Sequence, residues 1–122
     1  MNKELRITKP IVDFIKAINE HNADAFLAVF TDNAVITDEG HEYRGNTAIK
    51  EWNDEKNIGA KITLSPVEAI DRDGKTILTA KVDGNFDKTG LPDPFLMDLC
   101  FTLDENLITA LKYRLAADSS PL

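Results

Sequence analysis

The sequence predicts an α+β domain in which helices come first and pack on one face of a curved sheet. Three observations carry this reading. Ile11, Phe14, Ile15 and Ile18 recur at helical spacing near the start. From Lys61 onward, apolar and polar residues alternate with the period of two that strands impose. Asp73-Gly74 and Asp104-Glu105-Asn106 are turn signals that divide this second part into hairpins.

The first helix is expected over residues 10–19. Pro10 suits its first turn, where the missing N–H is not needed, and Thr8 is placed to cap it. Glu20-His21-Asn22 interrupts the pattern. Asn22 can cap a second helix over 23–30, which is apolar on nearly every side and so expected to be well buried. Ala34-Val35-Ile36-Thr37-Asp38 then reads as a short strand, Glu39-Gly40 as a turn and residues 41–44 as a returning strand. Gly45-Asn46 opens a third helix with Ala48, Ile49 and Trp52 on its buried side, fraying before Gly59. The remaining strands fall at about 61–71, 76–86, 95–104 and 107–115, with residues 87–94 a loop holding Gly90, Pro92 and Pro94. Pro66 implies an edge position or a bulge.

Two alternations orient the later strands. Phe95, Met97, Leu99, Phe101 and Leu103 share one face, and Asp98, Cys100 and Thr102 the other. Leu111, Tyr113 and Leu115 alternate with Lys112 and Arg114. The apolar sets are expected to face the helices. Asp98 then lies on the outer face, paired with Lys112 or Arg114 and not catalytic.

Length, charge and cysteine content narrow the class. The 122 residues fit one domain, 1–122, with ends at about 1–7 and 116–122 expected to fray. A hydrophobic share of 43% and a charged share of 29% are those of a globular chain. Fourteen basic against 21 acidic residues give a net charge of −7 with no basic cluster, which argues against nucleic acid as a partner. No apolar run approaches the roughly 20 residues of a membrane span, and Met1-Asn2-Lys3-Glu4 leads into a polar stretch, so a cytoplasmic location is expected. The single cysteine, Cys100, excludes an internal disulfide and fits a reducing compartment. His21, His41 and Cys100 have no metal-ligand spacing, and no Gly-rich phosphate loop follows a strand, so neither metal nor cofactor is expected.

The stretch AVITDEGHEYRGNTAIKEW (34–52) resembles the hairpin-then-helix signature of the SnoaL-like branch of the nuclear transport factor 2-like superfamily. VDGNF (82–86), LCFTL (99–103) and LITALKY (107–113) are similar to that branch's closing strands. The resemblance implies a cone-shaped, cystatin-like architecture: a curved mixed or antiparallel sheet closed by N-terminal helices around an apolar pocket. It also implies a small apolar molecule as the ligand and a homodimer formed through the outer sheet face, around Thr79, Lys81, Asp98, Cys100, Thr102 and Lys112. It does not fix a reaction, because this scaffold hosts isomerases, cyclases, dehydratases, epoxide hydrolases and non-catalytic binders.

Ketosteroid isomerases share this fold, and their general-base aspartate, which ends the first strand, matches Asp38. A carboxylate at the mouth of an apolar pocket loses solvation, which suits a base working near neutrality. The alternative is an ordinary hairpin aspartate capping the turn. The same comparison places the oxyanion donors of those enzymes at Phe14 and Leu99, neither of which donates a hydrogen bond. Each lost donor costs about 10²–10³ in rate, so ketosteroid isomerisation by that route is not expected. His41 and Tyr43, two apart on one face, could complete an acid/base trio with Asp38, or sit partly solvated at the rim. Phe14, Phe30, Trp52, Phe86, Met97, Leu99 and Tyr113 are the expected pocket lining, with plain core as the alternative. Two functions remain open: a cofactor-free isomerase, cyclase or dehydratase with Asp38 as base, or a non-catalytic binding or dimeric interaction module.

Overall fold

Pro10 stands in the first turn of α1 (Lys9–Asn19), where no backbone N–H is required of it. The Thr8 side chain makes no cap bond. Its carbonyl instead accepts from the N–H groups of Ile11 and Val12 at 3.1 and 3.0 Å. Asn22 caps α2 (Ala23–Ala28) as expected, its Oδ1 accepting from Ala25 N–H at 3.1 Å. The computed structural model describes residues 8–72, 75–86, 89–90 and 95–115. The ends expected to fray, the Asp73-Gly74 turn and most of the 87–94 loop lie outside the described residues.

The order continues with β1 (Phe30–Asp38), β2 (His41–Arg44), α3 (Gly45–Asn53), a π-helical stretch (Asp54–Ile58), β3 (Thr63–Arg72), β4 (Lys75–Asp83), β5 (Leu96–Asp104) and β6 (Leu107–Leu115). The six strands form one sheet in the order β2-β1-β6-β5-β4-β3, antiparallel except where β1 runs parallel to β6. Pro66 is at both places open to a strand proline. β3 is an edge strand, and its register with β4 slips between Pro66 and Glu68. The outer edge of β3 is capped at one residue. The Asn19 side-chain amide accepts from Leu64 N–H at 2.7 Å and donates to Leu64 C=O at 3.0 Å, tying the end of α1 to the sheet.

Several expectations change. The second helix stops at Ala28 and the chain is already in β1 at Phe30. Of α2 only Phe26 is buried. Val29 and Phe30 carry the apolar pattern inward from the strand side, so the helix leaves Ala28 exposed. The third helix does not fray before Gly59 but widens into π turns. β4 ends at Asp83 rather than at 86, because Gly84 turns against the connector that leads into β3. A Cβ on Gly84 would stand 2.7 Å from Ala60 O, and Asn85 N–H donates to that same carbonyl at 2.6 Å. Leu115, expected to face the helices, is exposed near the end of β6.

The core lies between the helices and the inner sheet face. Phe14 is its centre and is fully buried, with ring centroids 5.5 Å from Phe26, 6.1 Å from Phe30 and 5.1 Å from Phe101, two of them edge-to-face. On the outer face Asp98 accepts from Thr79 Oγ1 at 2.6 Å and lies 3.7 Å from Arg114 Nε, so it is a sheet-surface carboxylate.

Candidate functional site

Inward-facing residues along β1 are Ala34, Ile36 and Asp38, by the alternation of a strand. The first two are fully buried, and Asp38 continues the series to the open end of the sheet. A two-residue turn follows, with Glu39 at φ 52° and Gly40 at φ 80°, the paired positive values of a type I′ hairpin. That turn pairs Asp38 with His41 and Ile36 with Tyr43.

Trp52 reaches Asp38 from α3. Its Nε1–H donates to Asp38 Oδ2 at 3.1 Å, so an almost fully buried indole fixes the carboxylate. Tyr113, two residues beyond the buried Leu111 on β6, stacks edge-on against Trp52 with centroids 5.3 Å apart. The residue as a whole is half-buried, but its hydroxyl is sealed from solvent and meets no hydrogen-bond partner among the described residues. Burial pushes the phenol pKa well above its ordinary value, and the negative charge of Asp38 pushes it the same way, so Tyr113 keeps its proton.

These three side chains border a cavity of about 420 Å³. Its apolar wall is built from Ile62, Leu64, Val82, Phe86, Phe95 and Met97. Asp38, Glu39, Glu55 and Lys56 supply the charged groups, and Asn57 a buried amide. The volume falls in the range of roughly 300–1,000 Å³ typical of small-molecule pockets. With three carboxylates against one lysine, the cavity favours a neutral or cationic ligand over an anion.

Of the residues expected at a site, Asp38, Trp52, Phe86, Met97 and Tyr113 come together around this cavity. Phe14, Phe30 and Leu99 do not. They are buried in the packed core, Phe14 and Phe30 within the aromatic cluster and Leu99 opposite Leu78. His41 is exposed on the far strand of the hairpin. Tyr43 lies 6.2 Å from Trp52, ring centre to ring centre, and borders a separate recess of about 120 Å³. Neither lines the cavity at Asp38. Sequence reasoning missed Asn57, Phe95 and the acidic rim. Phe95 was legible from the strand alternation, whereas the chain around Asn57 carries no periodic signal. Among the described residues no cluster of three His, Cys, Asp or Glu side chains could hold a metal ion, and no helix is long and apolar enough to cross a membrane.

The profile of the SnoaL-like domain family matches residues 11–111. No curated protein matches the sequence significantly. Among solved structures, a polyketide cyclase-like protein of Sinorhizobium meliloti superposes with a TM-score of 0.80 at 25% identity, over 88% of this chain and 95% of its own. A protein of Catenulispora acidiphila with a ketosteroid isomerase-like fold, solved in complex with trimethylamine, gives 0.75 at 17% identity, over 93% and 90% of the two chains. A Mycobacterium tuberculosis protein in complex with estradiol-17β-hemisuccinate gives 0.71 at 15% identity, over 90% and 93%.

Proposed function

The chain belongs to the SnoaL-like domain family, and from that premise we propose that its cavity binds a small, apolar, uncharged molecule on which Asp38 acts as general base. The reaction class is a cofactor-independent isomerisation, cyclisation or dehydration. One observation carries the reading: a carboxylate at an apolar cavity, with one oxygen held by Trp52 Nε1–H and the other left to take a proton. The proton removed from a carbon or hydroxyl of the substrate passes to Asp38, and Asp38 returns it to another carbon or to the departing hydroxyl. No redox partner is needed. His41 and Tyr43 do not touch the substrate in this scheme. Tyr43 backs the Trp52 ring, and His41 sits across the hairpin from Asp38.

A second reading, ligand binding without turnover, draws on Phe14 and Leu99. Both are apolar and fully buried where ketosteroid isomerases place their oxyanion donors, so an enolate would lack that support. A thermal-shift screen of a metabolite library against wild type and Asp38→Asn separates the two. Asparagine keeps an acceptor for Trp52 while removing the base. Ligand at 100 times its dissociation constant stabilises by about 2.7 kcal/mol. A hit that wild type turns over and Asp38→Asn binds unchanged supports catalysis. A hit that neither turns over supports the binder.

The proposal extends to a cytoplasmic homodimer joined through the outer sheet face, where Thr79, Asp98 and Arg114 already form a polar network and the thiol of Cys100 is free. Light scattering after size exclusion, giving a monomer mass at micromolar concentration, would rule out the dimer.

A further inference from the structure

Asparagine side chains are costly to bury, because each amide carries two donors and an oxygen with two lone pairs. Among the described residues Asn53 and Asn57 are 3% and 4% exposed, and a single hydrogen bond joins them, from Asn57 Nδ2 to Asn53 Oδ1 at 2.8 Å. Asn57 lines the cavity and Asn53 does not. The bond therefore commits one donor of Asn57 and leaves its oxygen and second N–H without a partner among the described residues, at a cavity lined also by the apolar wall and the four charged side chains.

The backbone is arranged to put this amide there. In an α-helix a residue five positions on lies about 140° around the axis from its reference, so Asn57 would turn away from Trp52. Over Asp54–Ile58 the helix is instead a π-helix, with Gly59 N–H donating to Asp54 C=O at 2.9 Å and Ile62 N–H to Asn57 C=O at 2.8 Å. Both are bonds five residues apart, and across this change of winding Trp52 and Asn57 both line the cavity. π turns are rare and concentrate at functional sites.

We infer that Asn57 is the second polar contact of the ligand, presenting a carbonyl oxygen and an N–H to an uncharged hydroxyl, carbonyl or amide group. Asn53 is the positioning residue that orients it. The ligand is then bifunctional: an apolar body with one reactive polar group at Asp38 and a neutral one at Asn57. This rests on the functional reading above.

Trp52 is the only tryptophan of the chain and lines the cavity, so its indole N–H resonance reports occupancy directly. The test titrates ¹⁵N-labelled protein with β-tetralone, its ring-methyl isomers and its ring-hydroxy isomers. Wild type is expected to bind at least one hydroxy isomer about three- to tenfold more tightly than the methyl isomer of the same position. Asn57→Leu is expected to erase or invert that preference while still binding the methyl compound. Asn57→Ser serves in its place should the leucine variant fail to fold. Wild-type binding with no preference for any hydroxy isomer, or a preference that survives both substitutions, overturns the role of Asn57 and leaves the functional reading standing. No response of the Trp52 resonance to any of the ketones at millimolar concentration overturns the functional reading, and the inference with it.

Discussion

Replacing Tyr113 by phenylalanine removes one oxygen and little else, and the structure fixes the sign of the result. The hydroxyl is sealed from solvent without a hydrogen-bond partner among the described residues, whereas in the unfolded chain water satisfies it. An unsatisfied buried group of this kind costs about 1–3 kcal/mol. Tyr113→Phe is therefore expected to be more stable than wild type by about that amount. For a domain of this size each kcal/mol moves the thermal midpoint by roughly 3–5 °C. A second signature appears at high pH. The unfolded chain releases this proton near pH ~10, while the folded protein, whose phenol pKa burial and Asp38 both raise, retains it. Deprotonation then favours the unfolded state. Above pH ~10 wild type should lose about 1.4 kcal/mol per pH unit that the phenylalanine variant does not. Urea unfolding of both proteins from pH 7 to pH 11 reads the two effects together. A variant less stable than wild type at neutral pH, or parallel alkaline limbs, would refute the reasoning and show that the hydroxyl is satisfied in solution.

Two further substitutions test the local geometry. Gly84→Ala drives a methyl group into the backbone at Ala60, 2.7 Å away, and should cost about 1–3 kcal/mol in denaturant unfolding; an unchanged midpoint would mean the connector yields freely. Glu39→Asn places a residue that tolerates positive φ at a turn position now held at 52°, and should stabilise by about 0.5–1 kcal/mol, measured as a rise in thermal midpoint.

Part of this site was legible from alternation, and the limits of that signal have a common physical origin. Strand periodicity set Leu99 and Met97, and Leu111 and Tyr113, on inward faces, whereas Asp38 was singled out by the family resemblance. Periodicity gives the face and not the depth. The cavity wall is made of the last inward residues at one end of the sheet: Asp38 on β1, Val82 on β4, Met97 on β5 and Tyr113 on β6. Residues one or two steps back, Ile36, Ala80, Leu99 and Leu111, are core. Phe14 and Phe30 join that core because the helices meet the sheet there, a tertiary fact. The Trp52–Asp38 bond depends on how α3 docks, which nothing in its own sequence states. The π turns over DEKNI are the hardest case. Those residues are almost all polar, so no apolar stripe marks the change of winding, and Ile62 N–H, four residues further on, supplies one of the bonds that hold it.

Proton abstraction by Asp38 can be read without knowing the natural substrate. β-Tetralone in deuterated buffer exchanges the protons beside its carbonyl, and proton NMR follows the loss of signal with wild type, with Asp38→Asn and with buffer alone. Binding is monitored in parallel at the Trp52 indole resonance. Exchange faster than buffer with wild type, falling to the buffer rate with an Asp38→Asn protein that still binds the ketone, is the expected result. Equal exchange rates for the two proteins, with the cavity occupied in both, would contradict the assignment of Asp38 as the base.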